Sequence, residues 1–502
     1  MAKILIIGGG VAGLSAGIYA RKSGHEVSVC ERHTVPGGNL TGWQRGPYHI
    51  DNCIHWLTGT NPNTDTYKIW TDVGALGNHE DVYQAETLYT YDVAGKQISL
   101  HKDLSVLQRE MLNISPEDKK EILALTDAVK IVQGICGIAG KDHNRRSGAF
   151  EKLYTTPKLL RYCRISTEEL SERFSHPLLR RFIRCFLGRH FSALALLVVF
   201  ATFCGENGGL PHGGSLAMAK RMAERFVELG GELLLQKDAV KINVDGDRAT
   251  SVVFADGSTV SADYVICTAD AKVTFDKLLS RPLPKVLQKQ YADEKMIRFS
   301  SYHSAFSCPA EVLPFSGDLI FQLPPKMKRL LGTEYLILRE FSHEPSFAPE
   351  GQTVLQTLTF CREEISDEFI RMHANKIAYK QKKQELAEIL ENAIVDKFPQ
   401  LKGKIRCLDV WTPATYQRYL LSDMGAYMGF IFPKNRLPKR VSCRIRGLKN
   451  VVLATQWQQA PGGLPTAAGM GKRAIECINR MEKRMHIFWK LPLLKVKRVR
   501  KA

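Results

Sequence analysis

Lys3-Ile4-Leu5-Ile6-Ile7-Gly8-Gly9-Gly10-Val11-Ala12-Gly13 begins almost at the first residue of the chain. The apolar run Ile4–Ile7 predicts a buried parallel strand. Glycines at the first, third and sixth places of the next six residues predict a tight turn into a helix. Leu14 to Ser23 reads as that helix, closed by Gly24 as its C-terminal cap. His25 to Glu31 reads as a second apolar strand ending in an acid, 18 residues after Gly13. Each glycine has its own task in a dinucleotide site. Gly8 permits the turn, Gly10 lets backbone approach a pyrophosphate, and Gly13 allows helix to pack closely on strand. The helix N-terminus would face the phosphates, and Glu31 would accept from ribose hydroxyls.

Working outward, Gly17 extends the pattern to the form common in FAD proteins, and the acid at 31 argues against a 2′-phosphate. Pro36-Gly37-Gly38 would let a loop pass close to the pyrophosphate, or form a simple turn. Farther on, Pro211-His212-Gly213-Gly214 leads to Ser215, an expected N-cap, and a helix with Leu216, Ala219, Met222, Ala223, Phe226 and Leu229 on one face. Short strands follow at 232–236, 240–244, 251–254, 259–261 and 264–268, with turns at Asp245-Gly246 and Asp256-Gly257. Near the C-terminus, Val451–Ala454 reads as another buried strand. Pro461-Gly462-Gly463-Leu464-Pro465 and a helix from Ala467 to Met481 come after it, and the dipole of that helix would stabilise negative charge on a reduced ring.

Composition narrows the remaining classes. The chain has 502 residues, 44% hydrophobic and 24% charged, which excludes a disordered or fibrous protein and suggests two or three domains. The 12 cysteines include no CxxC pair, so neither a clustered metal site nor a disulfide framework is indicated. Met1-Ala2-Lys3 runs straight into the first strand, and the longest apolar run, Phe191 to Phe203, has 13 residues, too few to span a bilayer. A cytoplasmic chain with free thiols is expected. The net charge is +19, and from Lys483 onward there are eight Lys or Arg and no acid. Ile487, Phe488, Trp489 and Leu491 lie among those cations. The tail 486–502 therefore suits the anionic inner face of a membrane or a solvated terminus, and no nucleic-acid module accompanies it.

Together these blocks resemble the flavin-dependent amine-oxidase superfamily, in particular its phytoene desaturase, carotenoid isomerase and retinol saturase branch. Trp411-Thr412-Pro413-Ala414-Thr415 and Gly425-Ala426-Tyr427-Met428-Gly429 resemble that group's late substrate-domain signature. The resemblance implies an α/β fold: a Rossmann-like FAD-binding domain from 1–70, 205–275 and 440–485, and a discontinuous α+β substrate domain from 71–204 and 276–439. It implies FAD contacts at Gly8, Gly10, Val11, Ala12, Gly13, Glu31, Arg32, Gly37, Gly38, Asn39, Leu40, Val240, Gly462, Gly463 and Leu464. Asn39 stands where many relatives have arginine, and Cys53 where glycine is common.

The function this implies is hydride transfer to or from flavin N5 at carbon–carbon bonds of an apolar, lipid-like substrate such as a polyene or isoprenoid. An amine oxidase and an FAD-dependent lipid isomerase or hydratase are the alternatives. His55 is the candidate acid or base, with Asp51 as its orienting partner and His190 a weaker candidate. Tyr416, Tyr419 and Tyr427 are candidate pocket aromatics. No second GxGxxG block is present, so NAD(P)H is expected at most as a transient electron donor or acceptor. Ala374 to Phe398 predicts a long amphipathic helix, and Phe191 to Phe203 predicts a helix that is core or substrate-lining.

Overall fold

The glycine-rich blocks converge on one parallel sheet. A computed structural model describes residues 1–77, 81–135, 156–293, 296–431, 434–435 and 441–490. In chain order the elements around that sheet and its cavity are β1 (Lys3–Ile7), α1 (Val11–Lys22) and β2 (Glu26–Cys30). These are followed by α2 (Ala193–Phe203), α3 (Gly214–Glu228), β3 (Glu232–Leu234), β4 (Tyr264–Cys267), β5 (Val451–Leu453) and α4 (Leu464–Lys490). The five strands lie in the order β3-β2-β1-β4-β5. Every pairing is parallel, with Ile6 opposite Val29 on one side and Ile266 on the other. Such a sheet is covered on both faces, which is why the last four residues of both β1 and β2 are buried without alternation.

Helix α1 packs against α4, where the Ser15 hydroxyl donates to the Ala468 carbonyl at 2.8 Å. An antiparallel insertion of Ala239–Asp245, Arg248–Phe254 and Thr259–Val260 separates β3 from β4, as the turn signals predict. The expected N-cap at Ser215 is not observed. Gly213, at φ +75°, occupies that place, and the Ser215 hydroxyl is drawn instead to the buried Asp51 carboxylate.

The second sheet has eight strands and is largely antiparallel. Arg298–Pro309 pairs along its length with Gln352–Cys361, and Tyr335–Glu340 and Leu319–Gln322 continue the sheet. Leu319–Gln322 then pairs in parallel with Thr87–Val93, a strand more than 200 residues earlier in the chain. The long helix expected at 374–398 spans Lys376–Lys397 and buries Leu386, Leu390, Ala393 and Ile394 with Phe306 and Leu355 of the sheet. The apolar run at 191–203 forms α2, capped by Ser192. Among the described residues no helix is long and apolar enough to cross a membrane. The basic tail lies outside the described residues from 491 onward.

Candidate functional site

The loop after β1 is organised by short backbone contacts that leave little room for side chains. A Cβ on Gly13 would lie 1.9 Å from the Gly8 carbonyl oxygen, and one on Gly37, at φ +124°, would lie 2.2 Å from the Leu40 carbonyl oxygen. The Gly37 N–H donates to Gly9 at 2.9 Å, so the two glycine-rich loops are joined. Glu31 is buried at the end of β2. One carboxylate oxygen accepts from the Gly9 N–H at 2.8 Å and the other from His33 N–H at 2.9 Å. The acid thus shapes the loop, with lone pairs left over for a ligand hydroxyl.

These loops line a cavity of about 700 Å³. Of the expected contacts, Gly8, Gly10, Val11, Ala12, Glu31, Arg32, Gly37, Gly38, Asn39 and Leu40 all face it, as do Gly462, Gly463 and Leu464 at the entrance to α4. Two do not. Gly13 lies beneath the loop, where its lack of a side chain admits the Gly8 carbonyl. Val240 is 44% exposed, and its neighbour Ala239 lines the cavity instead, because successive residues of a strand point to opposite faces.

The same cavity takes in His55, Trp56, Tyr419 and Tyr427. His55 is pushed well below the ordinary imidazole range by burial, reinforced by the charge of Arg339, and is neutral at physiological pH. Asp51 does not orient it. That carboxylate accepts from the Ser215 N–H at 2.8 Å and the Cys53 N–H at 3.1 Å. His190 is exposed and away from the cavity. Tyr416 is buried behind the wall, where its hydroxyl donates to Asn52 at 2.9 Å and lies 3.0 Å from both His303 Nε2 and Trp411 Nε1. Asn39 spends its amide on the Tyr427 carbonyl at 2.9 Å and accepts from Asn52 at 2.9 Å.

Whether FAD fits is decided by unmet bonding capacity along this wall. Arg32 and Arg473 line the cavity, and each leaves a buried guanidinium nitrogen without a hydrogen-bond partner. With the glycine cradle and the first turn of α4 beside them, they match an extended ligand that carries phosphates. Arg473 is absent from the sequence-based contacts, although it lies four residues beyond Gly469 on one face of the helix. Among the described residues no cluster of ligands could hold a metal.

The flavin-containing amine oxidoreductase family model matches residues 11–479. The chain belongs to that family. It is an FAD-dependent oxidoreductase, and the Rossmann-like α/β class expected from its sequence is the fold of the family. This flavoprotein is 27% identical to the chloroplastic prolycopene isomerase of Arabidopsis thaliana over 84% of its own length and 73% of the relative's. It is 23% identical to the neurosporene-forming phytoene desaturase of Rhodobacter capsulatus, covering 95% and 94% of the two chains. Among solved structures it resembles cyclohexylamine oxidase of Brevibacterium oxydans, with a TM-score of 0.60 and 15% identity over 96% and 99% of the chains, a likeness of fold.

Proposed function

We propose that this flavoprotein acts on the carbon–carbon double bonds of an extended, apolar isoprenoid polyene. One observation carries the reading: the cavity that holds the glycine blocks continues without a break into a wall of Leu88, Phe186, Phe191, Val199, Ile337 and Phe360. Apolar surface of this kind gains free energy by burying a hydrocarbon, at roughly 25 cal/mol per Å². FAD supplies a hydride acceptor or donor at N5 when bound. The chain's own residues align the polyene, keep water out, and present a neutral imidazole at His55 rather than a charge. Asp318, the acid in the apolar part, is already paired with the Arg339 guanidinium, whose positive charge an ammonium group seated there would also face.

The polyene relatives in view alter bonds in two ways, and the higher identity to prolycopene isomerases favours isomerisation without net redox change as the second reading. The FAD domain is proposed as 1–70, 205–275 and 440–485, with the remainder to 439 as the substrate domain. For the tail we propose contact with anionic lipid; removal of residues 486–502 is expected to weaken sedimentation with anionic liposomes, and equal sedimentation would reject it. The function itself is tested by incubating the purified holoprotein anaerobically with polyene hydrocarbons in micelles and, separately, with alkylamines. With the flavin oxidised a polyene product two hydrogens lighter is expected, or, with the flavin first reduced by dithionite, one two hydrogens heavier or of unchanged mass and altered geometry. Amine oxidation with the polyenes untouched would overturn the proposal.

A further inference from the structure

The apolar end of the cavity contains one feature that a pure hydrocarbon does not require. Asp318 lines the cavity beside Leu88, Ile337, Leu358 and Phe360, with its side chain 16% exposed. Both carboxylate oxygens take a hydrogen bond from the same atom, Arg339 Nε, at 3.0 and 3.3 Å. Arg339 is buried, stacks on Phe341 at 5.1 Å, and uses Nη1 to hold the Ile54 carbonyl at 3.2 Å, one residue before His55. A carboxylate has about four acceptor positions, so a single N–H leaves most of them unfilled. Taking such a group out of water is costly unless hydrogen bonds replace those lost, and leucine in its place would be cheaper around a hydrocarbon. Burial raises the Asp318 carboxyl to about 6, with the nearby charge of Glu340 adding to the rise and Arg339 pulling the other way, so the ionised, accepting form is available at neutral pH.

Resting on the reading of this cavity as the substrate site, we infer that Asp318, held by Arg339, anchors a hydroxyl group at the end of an otherwise apolar chain. The favoured ligand class is a polyene or isoprenoid alcohol. A neutral O–H fills the vacant acceptor positions and brings no charge of its own. An ammonium group would gain the same hydrogen bond but would sit next to the Arg339 guanidinium and lose its hydration. Anchored there, the chain would run past His55 and Trp56, which follow the carbonyl that Arg339 holds, toward the glycine-rich wall.

The test uses the holoprotein and two probes in the same micelles: a polyene alcohol and the parent hydrocarbon of equal length, each titrated by quenching of protein fluorescence. An alkylamine of matched length forms a third arm. The wild-type protein is expected to bind the alcohol about tenfold more tightly, the scale of one hydrogen bond to a charged group. Asp318→Leu combined with Arg339→Met removes both charges of the pair together. It is expected to reduce that preference to within about twofold while FAD content and hydrocarbon affinity persist. Asp318→Asn, which keeps a weaker acceptor, should fall between the two. Equal wild-type affinity for alcohol and hydrocarbon would overturn the anchor and leave the proposed function standing, as would a preference that survives the double substitution. Binding of the amine in place of both polyenes would overturn the proposed function and the anchor together.

Discussion

Buried acids and hydroxyls set the behaviour of individual positions. Asp270, at the end of β4, is raised to about 6 from an ordinary 3.8, chiefly by burial, while bonds from the Tyr291 hydroxyl and the Asp423 and Lys272 N–H groups pull the other way. Its folded value lies above its unfolded one. The stability it contributes is therefore full below about pH 4 and is lost as pH rises through about 6. Asp270→Asn should flatten that decline when urea midpoints are compared across the interval; an unchanged slope would remove Asp270 as its source. Tyr416→Phe is expected to cost about 1–3 kcal/mol in urea unfolding, because Asn52 Oδ1 and Trp411 Nε1 both lose their bond to its hydroxyl. No local pattern marks Tyr416 for this role. The residues it joins lie at 52, 303 and 411, and only the packing of loop, sheet and helix brings them together.

Elements differ in how far their sequence already describes them. The β1–α1–β2 unit was legible because strand, turn and helix entry depend on close neighbours in the chain. Gly13→Ala, whose Cβ would strike the Gly8 carbonyl, should open the loop and lower the FAD retained on purification by roughly tenfold, equivalent to about 1.4 kcal/mol. Full FAD retention would mean that this contact is not required. Helix α2 is apolar all round, so periodicity alone left its role open. The structure resolves it into two faces: Ala195, Val198, Val199 and Thr202 line the cavity, whereas Leu194, Leu197 and Phe200 face only the core. Phe200→Ala is accordingly expected to cost about 3–5 kcal/mol. Val198→Ala, on the cavity side, should cost about 1 kcal/mol or less, and equal losses in thermal melts would contradict the division.

At the scale of the whole molecule, both sheets contribute residues to the lining of one cavity, and ligand binding should therefore stabilise both. Added FAD at a hundredfold excess over its Kd should stabilise the apoprotein by about 2.7 kcal/mol, read as a concentration-dependent rise in Tm. A Tm indifferent to FAD would argue against a preformed cradle. The glycine-rich loop after β1, the acid Glu31 that closes β2 beside it and the glycine-rich entrance to α4 were determined by sequence alone, since each is a local backbone requirement that few residues meet. Val240 was misplaced because a one-residue choice on a strand reverses the face it presents, and Asp51 because its partners come from the start of α3. The Asp318–Arg339 pair beneath His55 had no signal in the sequence. It exists because the strand after Asp318 pairs with both Thr87–Val93 and Tyr335–Glu340, setting one acid, one guanidinium and the Ile54 carbonyl side by side. Pairings at such separations depend on how hydrophobic faces meet across the fold, and only the tertiary structure decides them.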